Sequence, residues 1–170
     1  IILGAGNRVQ DRVGANKING ALANRFVHLT LEADVNDWVN WGLSEGNIDP
    51  NVIAFIRYRP ELLFDFNKES VAWASPRTWE SVSDIIKADT KDMVVNSQDQ
   101  ALIGGTVGEG VAVEFCAFMG MVNTLPDVSE IIKNPETYPI SEDPSVLYAL
   151  TGALSRKADA TNFEAIITYV

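Results

Sequence analysis

The sequence predicts a mainly α fold carrying the remnant of an α/β layer at its N-terminal end. From residue 34 onward, Asp or Ser caps recur ahead of apolar residues at helical spacing, several with proline at the first helical position. Before residue 34, two short apolar runs, residues 1–3 and 26–31, have the pattern of buried strands. The first stops abruptly at Gly4-Ala5-Gly6-Asn7-Arg8 and has no partner strand nearby in sequence. The chain is therefore expected to be cut from something larger.

A polar, glycine-punctuated segment follows, then Ala21-Leu22-Ala23-Asn24-Arg25-Phe26 and the second strand-like run. Asp34 caps a helix with Val35, Trp38, Val39, Gly42 and Leu43 at helical spacing, ending near Gly46-Asn47. Asp49-Pro50 starts the next, in which Val52, Ile53 and Ile56 share a face, and Pro60 stops it. Residues 62–66 are a short apolar stretch open to either assignment. Ser75-Pro76 opens a helix striped by Trp79, Val82, Ile85 and Ile86, and a weakly marked helix spans 94–103. Residues 111–122 fit a strand through Val111, Val113 and Phe115 and a helix through Phe115, Phe118, Met119 and Val122. The helical surroundings favour helix. Residues 127–133 form a short helix ended by Asn134-Pro135, and Asp143-Pro144 starts another carrying Val146, Leu147, Leu150 and Leu154. Thr161 and Glu164 have capping-box spacing for a last helix that runs into Val170, so this end too is expected to be truncated.

Composition narrows the function classes. Of 170 residues, 46% are apolar and 21% charged, enough for a packed core. A net charge of −10 argues against a nucleic-acid-binding surface, although each of the seven arginines must be weighed singly. The single Cys116 rules out a disulfide framework and fits a reducing, cytoplasmic compartment. With one histidine, His28, a His-based zinc site is not expected. No apolar run approaches the roughly 20 residues of a membrane span, and no signal peptide is visible.

Gly4-Ala5-Gly6 after a strand suggests a dinucleotide fingerprint, but the third glycine position is Val9. Residues 7–20 are also too polar and glycine-broken for the helix that must receive the pyrophosphate. A better account takes Asn7, Arg25 and Arg77 together. Leu3-Gly4-Ala5-Gly6-Asn7-Arg8, Ala21-Leu22-Ala23-Asn24-Arg25-Phe26 and Ser75-Pro76-Arg77 occur in the order and at the spacing of three family segments. On them the chain resembles the C-terminal part of an AAA+ ATPase, most closely the MoxR-like group. The resemblance covers residues 1 to about 120; beyond that only a general likeness to the helical continuation remains.

The resemblance implies an α/β P-loop NTPase core remnant at 1–33, a helical lid at 34–122 and a helical extension at 123–170. It implies that Asn7 is the sensor-1 residue, Arg25 the arginine finger acting on a neighbouring subunit, and Arg77 the sensor-2 residue of the lid. It also implies ATP and Mg2+ as cofactors of the parent protein, a ring of subunits, commonly a hexamer, and a remodelling or chaperone-like action on partner proteins.

The residue types suit those roles. Phosphoryl transfer leaves the protein mainly positioning and charge stabilisation. A neutral amide at Asn7 can orient water; the alternative is a residue that merely tolerates the turn after Gly6. A guanidinium at Arg25 matches phosphate oxygens in a fork; the alternative is a surface Arg favourably placed at a helix end. Arg77 falls in a first helical turn, where a cation opposes the helix dipole by up to about 1 kcal/mol. A bound anion there reverses that penalty, and the alternative is a salt bridge to a nearby carboxylate.

The chain lacks a Gly-Lys dipeptide, hence a Walker A loop, and lacks an apolar strand ending in Asp-Glu, the Walker B element. The 170 residues alone are therefore expected to bind ATP weakly if at all and not to hydrolyse it. The remaining features read as structure. Trp38, Trp41, Trp73 and Trp79 are expected in packing, His28 as a strand residue, Cys116 as a small core residue, and residues 104–110 as a close helix junction. The rival reading is a non-enzymatic helical interaction module in which Arg25 and Arg77 are surface ion pairs.

Overall fold

The computed structural model describes residues 2–6, 18–67, 69–89, 97–122, 125 and 127–170. They divide into two compact units, Ile1–Glu32 and Ala33–Val170.

Among its described residues the first unit holds one short helix, α1 (Gly20–Ala23), capped by the Asn19 side chain on the Ala21 N–H at 2.8 Å. The strands expected at residues 1–3 and 26–31 do not form among the described residues: residues 2–6 and 27–32 carry neither helix nor ladder. A strand exists only through a ladder of hydrogen bonds to a neighbour, and among the described residues these segments form no ladder. Leu3, Val27, Leu29 and Leu31 are 86–93% exposed. His28 is accordingly no strand residue; its Nε2 lies 2.9 Å from the Ala23 carbonyl oxygen at the end of α1.

The second unit is helical, and its helices begin where the caps predict. Asp34 accepts the Asp37 N–H at 2.9 Å and starts α2 (Val35–Ser44). Asp49 accepts the Asn51 N–H at 2.8 Å, with Pro50 at the first position of α3 (Pro50–Tyr58). Residues 51–56 are all buried, so α3 is enclosed on every side. Arg59 and Pro60 end it, and the stretch left open at 62–66 begins as a 3-10 turn over Pro60–Leu63. An antiparallel bridge, Asp65 with Ala74, pins the loop before α4 (Pro76–Asp89). Then come α5 (Ser97–Val107) and α6 (Glu109–Val122), so the ambiguous residues 111–122 are helical. Their junction is Gly108, at φ +98°, where an added Cβ would meet the Ala72 carbonyl oxygen at 3.2 Å. Only glycine adopts that conformation without strain.

α7 (Val128–Lys133), α8 (Pro144–Lys157) and α9 (Phe163–Tyr169) complete the unit. The capping box expected from Thr161 and Glu164 does not form. Asp159 Oδ1 instead accepts from the Thr161 N–H at 2.7 Å and its hydroxyl at 2.6 Å, and Asn162 precedes α9 without a side-chain cap bond. An aspartate two residues upstream offers the stronger local acceptor.

Two apolar cores result. The larger centres on Phe55, whose ring lies 5.1–5.5 Å from those of Trp79, Phe115 and Phe118. The smaller gathers Val128, Ile131, Leu150, Leu154, Ile166 and Tyr169. Helix α8 contributes to both, Ala149 to the first and Leu150 and Leu154 to the second. Its Gly152 lets it approach α3: an added Cβ would stand 3.1 Å from Ala54 Cβ and Asn51 Oδ1. The Asn51 amide is buried there with no partner among the described residues.

Three aspartates, the caps of α7 and α8 and Asp159 ahead of α9, carry a pH signature. Hydrogen bonds from the Ser129 backbone and side chain, then the nearby Lys157 and Lys133 charges, hold the Asp127 carboxyl below its usual range. The Ser145 hydroxyl and N–H do so for Asp143, and those of Thr161 for Asp159. A depressed folded value means stability that is present above the ordinary aspartate value of about 3.9 and lost as pH falls through the folded value. The helicity of α7–α9 is expected to hold from pH 7 to about 5 and to fall below about 4. The triple variant D127N/D143N/D159N, which keeps capping side chains, is expected to flatten that fall in circular dichroism.

Candidate functional site

The most developed site geometry surrounds the start of α4. Ser75 Oγ accepts the Thr78 N–H at 3.2 Å while Thr78 Oγ1 accepts the Ser75 N–H at 2.7 Å, a reciprocal cap built from two hydroxyl residues. Pro76 sets the first helical φ, so Arg77 emerges in the first turn. It is exposed, and among the described residues its guanidinium has no ion pair. It lines an open cleft of about 720 Å³ whose walls are the loop at Ala72 and Trp73, the α4 residues Thr78 and Ser81, and Gly105 and Thr106 of α5. Trp73 is held in that loop between Phe64 and Phe66, with ring centroids 5.5 and 5.0 Å away. On the other flank of Ala72 lies a second cleft, of about 910 Å³, bordered by Glu69, Gln100 and Glu109 over the bare backbone of Gly104 and Gly105.

Chemically the first cleft offers one cation at a helix N-terminus, several hydroxyls and an aromatic wall. That set suits an anionic group better than a metal ion. Among the described residues, no three His, Cys, Asp or Glu side chains converge as metal ligands.

The three residues predicted from sequence do not fall in one described unit. Asn7 lies outside the described residues. Arg25 is exposed in the turn after α1, its N–H bonded to the Leu22 carbonyl oxygen at 3.0 Å, and it belongs to the first unit. Arg77 belongs to the second.

Trp38 and Trp79 pack in the core as expected, while Trp41 is 37% exposed. Trp79 is fully buried and donates Nε1–H to the Leu62 carbonyl oxygen at 2.7 Å; Trp38 is 7% exposed. Cys116 is half-buried, and burial, then the Asp99 carboxylate, push its thiol above the usual range, away from a reactive thiolate. Of the glycines at 104–110, Gly108 makes the close approach; a Cβ added at Gly104 would make only ordinary contact, 3.8 Å from Ala112 Cβ, and Gly105 and Gly110 face open space. No helix among the described residues is long and apolar enough to cross a membrane.

Sequence reading missed a polar cluster in which Asp49 meets Arg156 and Ser83. Arg156 gave no signal beyond a cation in a last helical turn. Comparison with protein-family models, curated proteins and solved structures finds no match for the chain.

Proposed function

We propose that the chain is the sensor-1, arginine-finger and lid portion of a MoxR-like AAA+ ATPase, in which Arg77 contacts the phosphates of bound ATP. The observation that carries this reading is Arg77 itself, an exposed first-turn cation facing an open cleft without an ion pair among the described residues. Among the described residues no carboxylate lies within ion-pair distance of Arg77 to support the salt-bridge alternative. A second support is the alternation of Val27, Leu29 and Leu31, each at least 86% exposed, with His28, Thr30 and Glu32. Such a segment has the pattern of a strand whose sheet lies elsewhere.

In this reading residues 1–33 belong to the α/β core, 34–122 form the lid, and 123–170 are a helical extension. Asn7 orients water, Arg25 reaches a neighbouring subunit of a ring, commonly a hexamer, and Mg2+ accompanies ATP in the parent. The parent is cytoplasmic and remodels partner proteins. One observation favours the rival reading of a helical interaction module: Phe163 and Ile167 of α9, with Val170 just past its end, are exposed apolar residues at helical spacing.

The test is peptide mass spectrometry of the natural polypeptide, followed by its ATPase assay. A Gly-x-x-x-x-Gly-Lys-Ser/Thr loop and an apolar strand ending in Asp-Glu are expected upstream of Ile1. A hydrogen bond to a charged group contributes about 1.5–3 kcal/mol, so R77A is expected to lower kcat/KM roughly 10- to 150-fold. Unchanged turnover in R77A, or no such upstream motifs, favours the interaction module. The 170 residues alone are expected to turn over no ATP.

A further inference from the structure

One polar junction ties α8 to the rest of the helical unit. Asp49, 6% exposed, stands at the N-terminus of α3. Both of its carboxylate oxygens accept from Arg156 Nη2 of α8, at 2.8 and 2.7 Å, while Oδ1 also caps α3. Its own N–H donates to Ser83 Oγ of α4 at 2.8 Å, and Ser83 is fully buried. One residue thus joins three helices.

These contacts differ in kind from the apolar packing around them. Apolar faces tolerate repacking, whereas hydrogen bonds persist only over a narrow range of distance and angle. The junction therefore defines the register of α3, α4 and α8 more sharply than the cores do. Ser83 lies less than two helical turns from Arg77 on the same helix. Helix α8 is in turn bound to α7 and α9 through Leu150 and Leu154.

We propose that Asp49, Ser83 and Arg156 form a positioning junction through which the C-terminal helices α7–α9 hold α4, and with it Arg77, in place at the cleft. As a claim about function it rests on the reading of Arg77 as a phosphate contact. Arg156 and Ser83 are positioning residues that act through Asp49 and the helix axis.

Hydrogen exchange on the 170-residue chain tests the junction without nucleotide. D49N keeps a capping side chain and the backbone N–H but removes the charge that Arg156 meets, and R156Q removes the cation. Both are expected to speed exchange about tenfold or more in α8 and also at α4 residues 79–86. R156K, a cation without the planar fork, is expected to fall between R156Q and the parent chain. L154A hollows the smaller core on the same helix without touching the junction, and is expected to speed α7–α9 alone. Unchanged α4 exchange in D49N and R156Q overturns the proposal. So does the same pattern in L154A as in R156Q, because the pair would then act only through stability at large. Should R156Q fail to fold, R156K must still speed α4 exchange for the proposal to stand. ATP turnover of the natural polypeptide separates this from the reading it rests on. Faster α4 exchange in R156Q, with R77A leaving turnover unchanged, keeps the junction and discards Arg77 as a phosphate contact.

Discussion

Replacing Trp79 by alanine is expected to lower the melting temperature of the helical unit by roughly 6–20 °C, at about 2–4 °C per kcal/mol. Trp79 is fully buried, with ring centroids 5.5 and 5.6 Å from Phe55 and Phe115. Truncating a buried aromatic to alanine costs about 3–5 kcal/mol. The change also removes the Nε1–H that the Leu62 carbonyl oxygen accepts, leaving a buried acceptor unpaired. Against a total stability of about 5–15 kcal/mol, that loss is a large share. W79F separates the two contributions, since phenylalanine keeps an aromatic body but not the donor, and a loss of about half is expected. Thermal circular dichroism measures both. A W79A melt within about 2 °C of the parent chain would mean that the aromatic cluster does not hold the core as described.

The helices were legible because their start signals are local. Asp34, Asp49-Pro50, Asp127 and Asp143-Pro144 each cap through a bond spanning two or three residues. No knowledge of the distant chain is needed to see such bonds. The strand-like runs failed for the opposite reason. Alternation at Val27, Leu29 and Leu31 marks a face to be covered, but a strand needs a ladder that alternation cannot supply. The capping-box error at Thr161 was a competition between two local signals. Asp159, also within reach, took the hydroxyl and the N–H.

The candidate site divides in the same way. Ser75-Pro76-Arg77 is a local motif, and its cap and first-turn cation appear as read. The far wall of the cleft, Gly105 and Thr106, comes from another helix. The glycines there carry no side-chain chemistry to announce a surface. The Asp49–Arg156 pair spans 107 positions. In a chain with 13 cations and 23 acids, nothing in either residue's surroundings singles out that pairing.

Arg156→Ala is expected to cost more than Asp49→Asn, although both break the same pair. The Asp49 side chain is 9% exposed and the Arg156 side chain 29%. Without Arg156 the carboxylate stays buried, with the Asn51 N–H as its remaining bond at this junction. Breaking a fully buried pair costs about 3–5 kcal/mol; the partial exposure of Arg156 brings the expected loss to about 2–3 kcal/mol. Without the Asp49 charge, the half-exposed guanidinium can turn its head toward water over an apolar stem, and asparagine still caps α3. The loss is then expected to be about 1–2 kcal/mol. In D49N/R156A neither charge remains to be stranded, so the double variant is expected to lose less than the sum of the singles by about 1 kcal/mol or more. Denaturant unfolding of the four chains measures this coupling. Strict additivity would make the pair a surface contact of the kind that contributes about 0–1 kcal/mol. The buried carboxylate would then have to draw its stabilisation from the N-terminus of α3 alone.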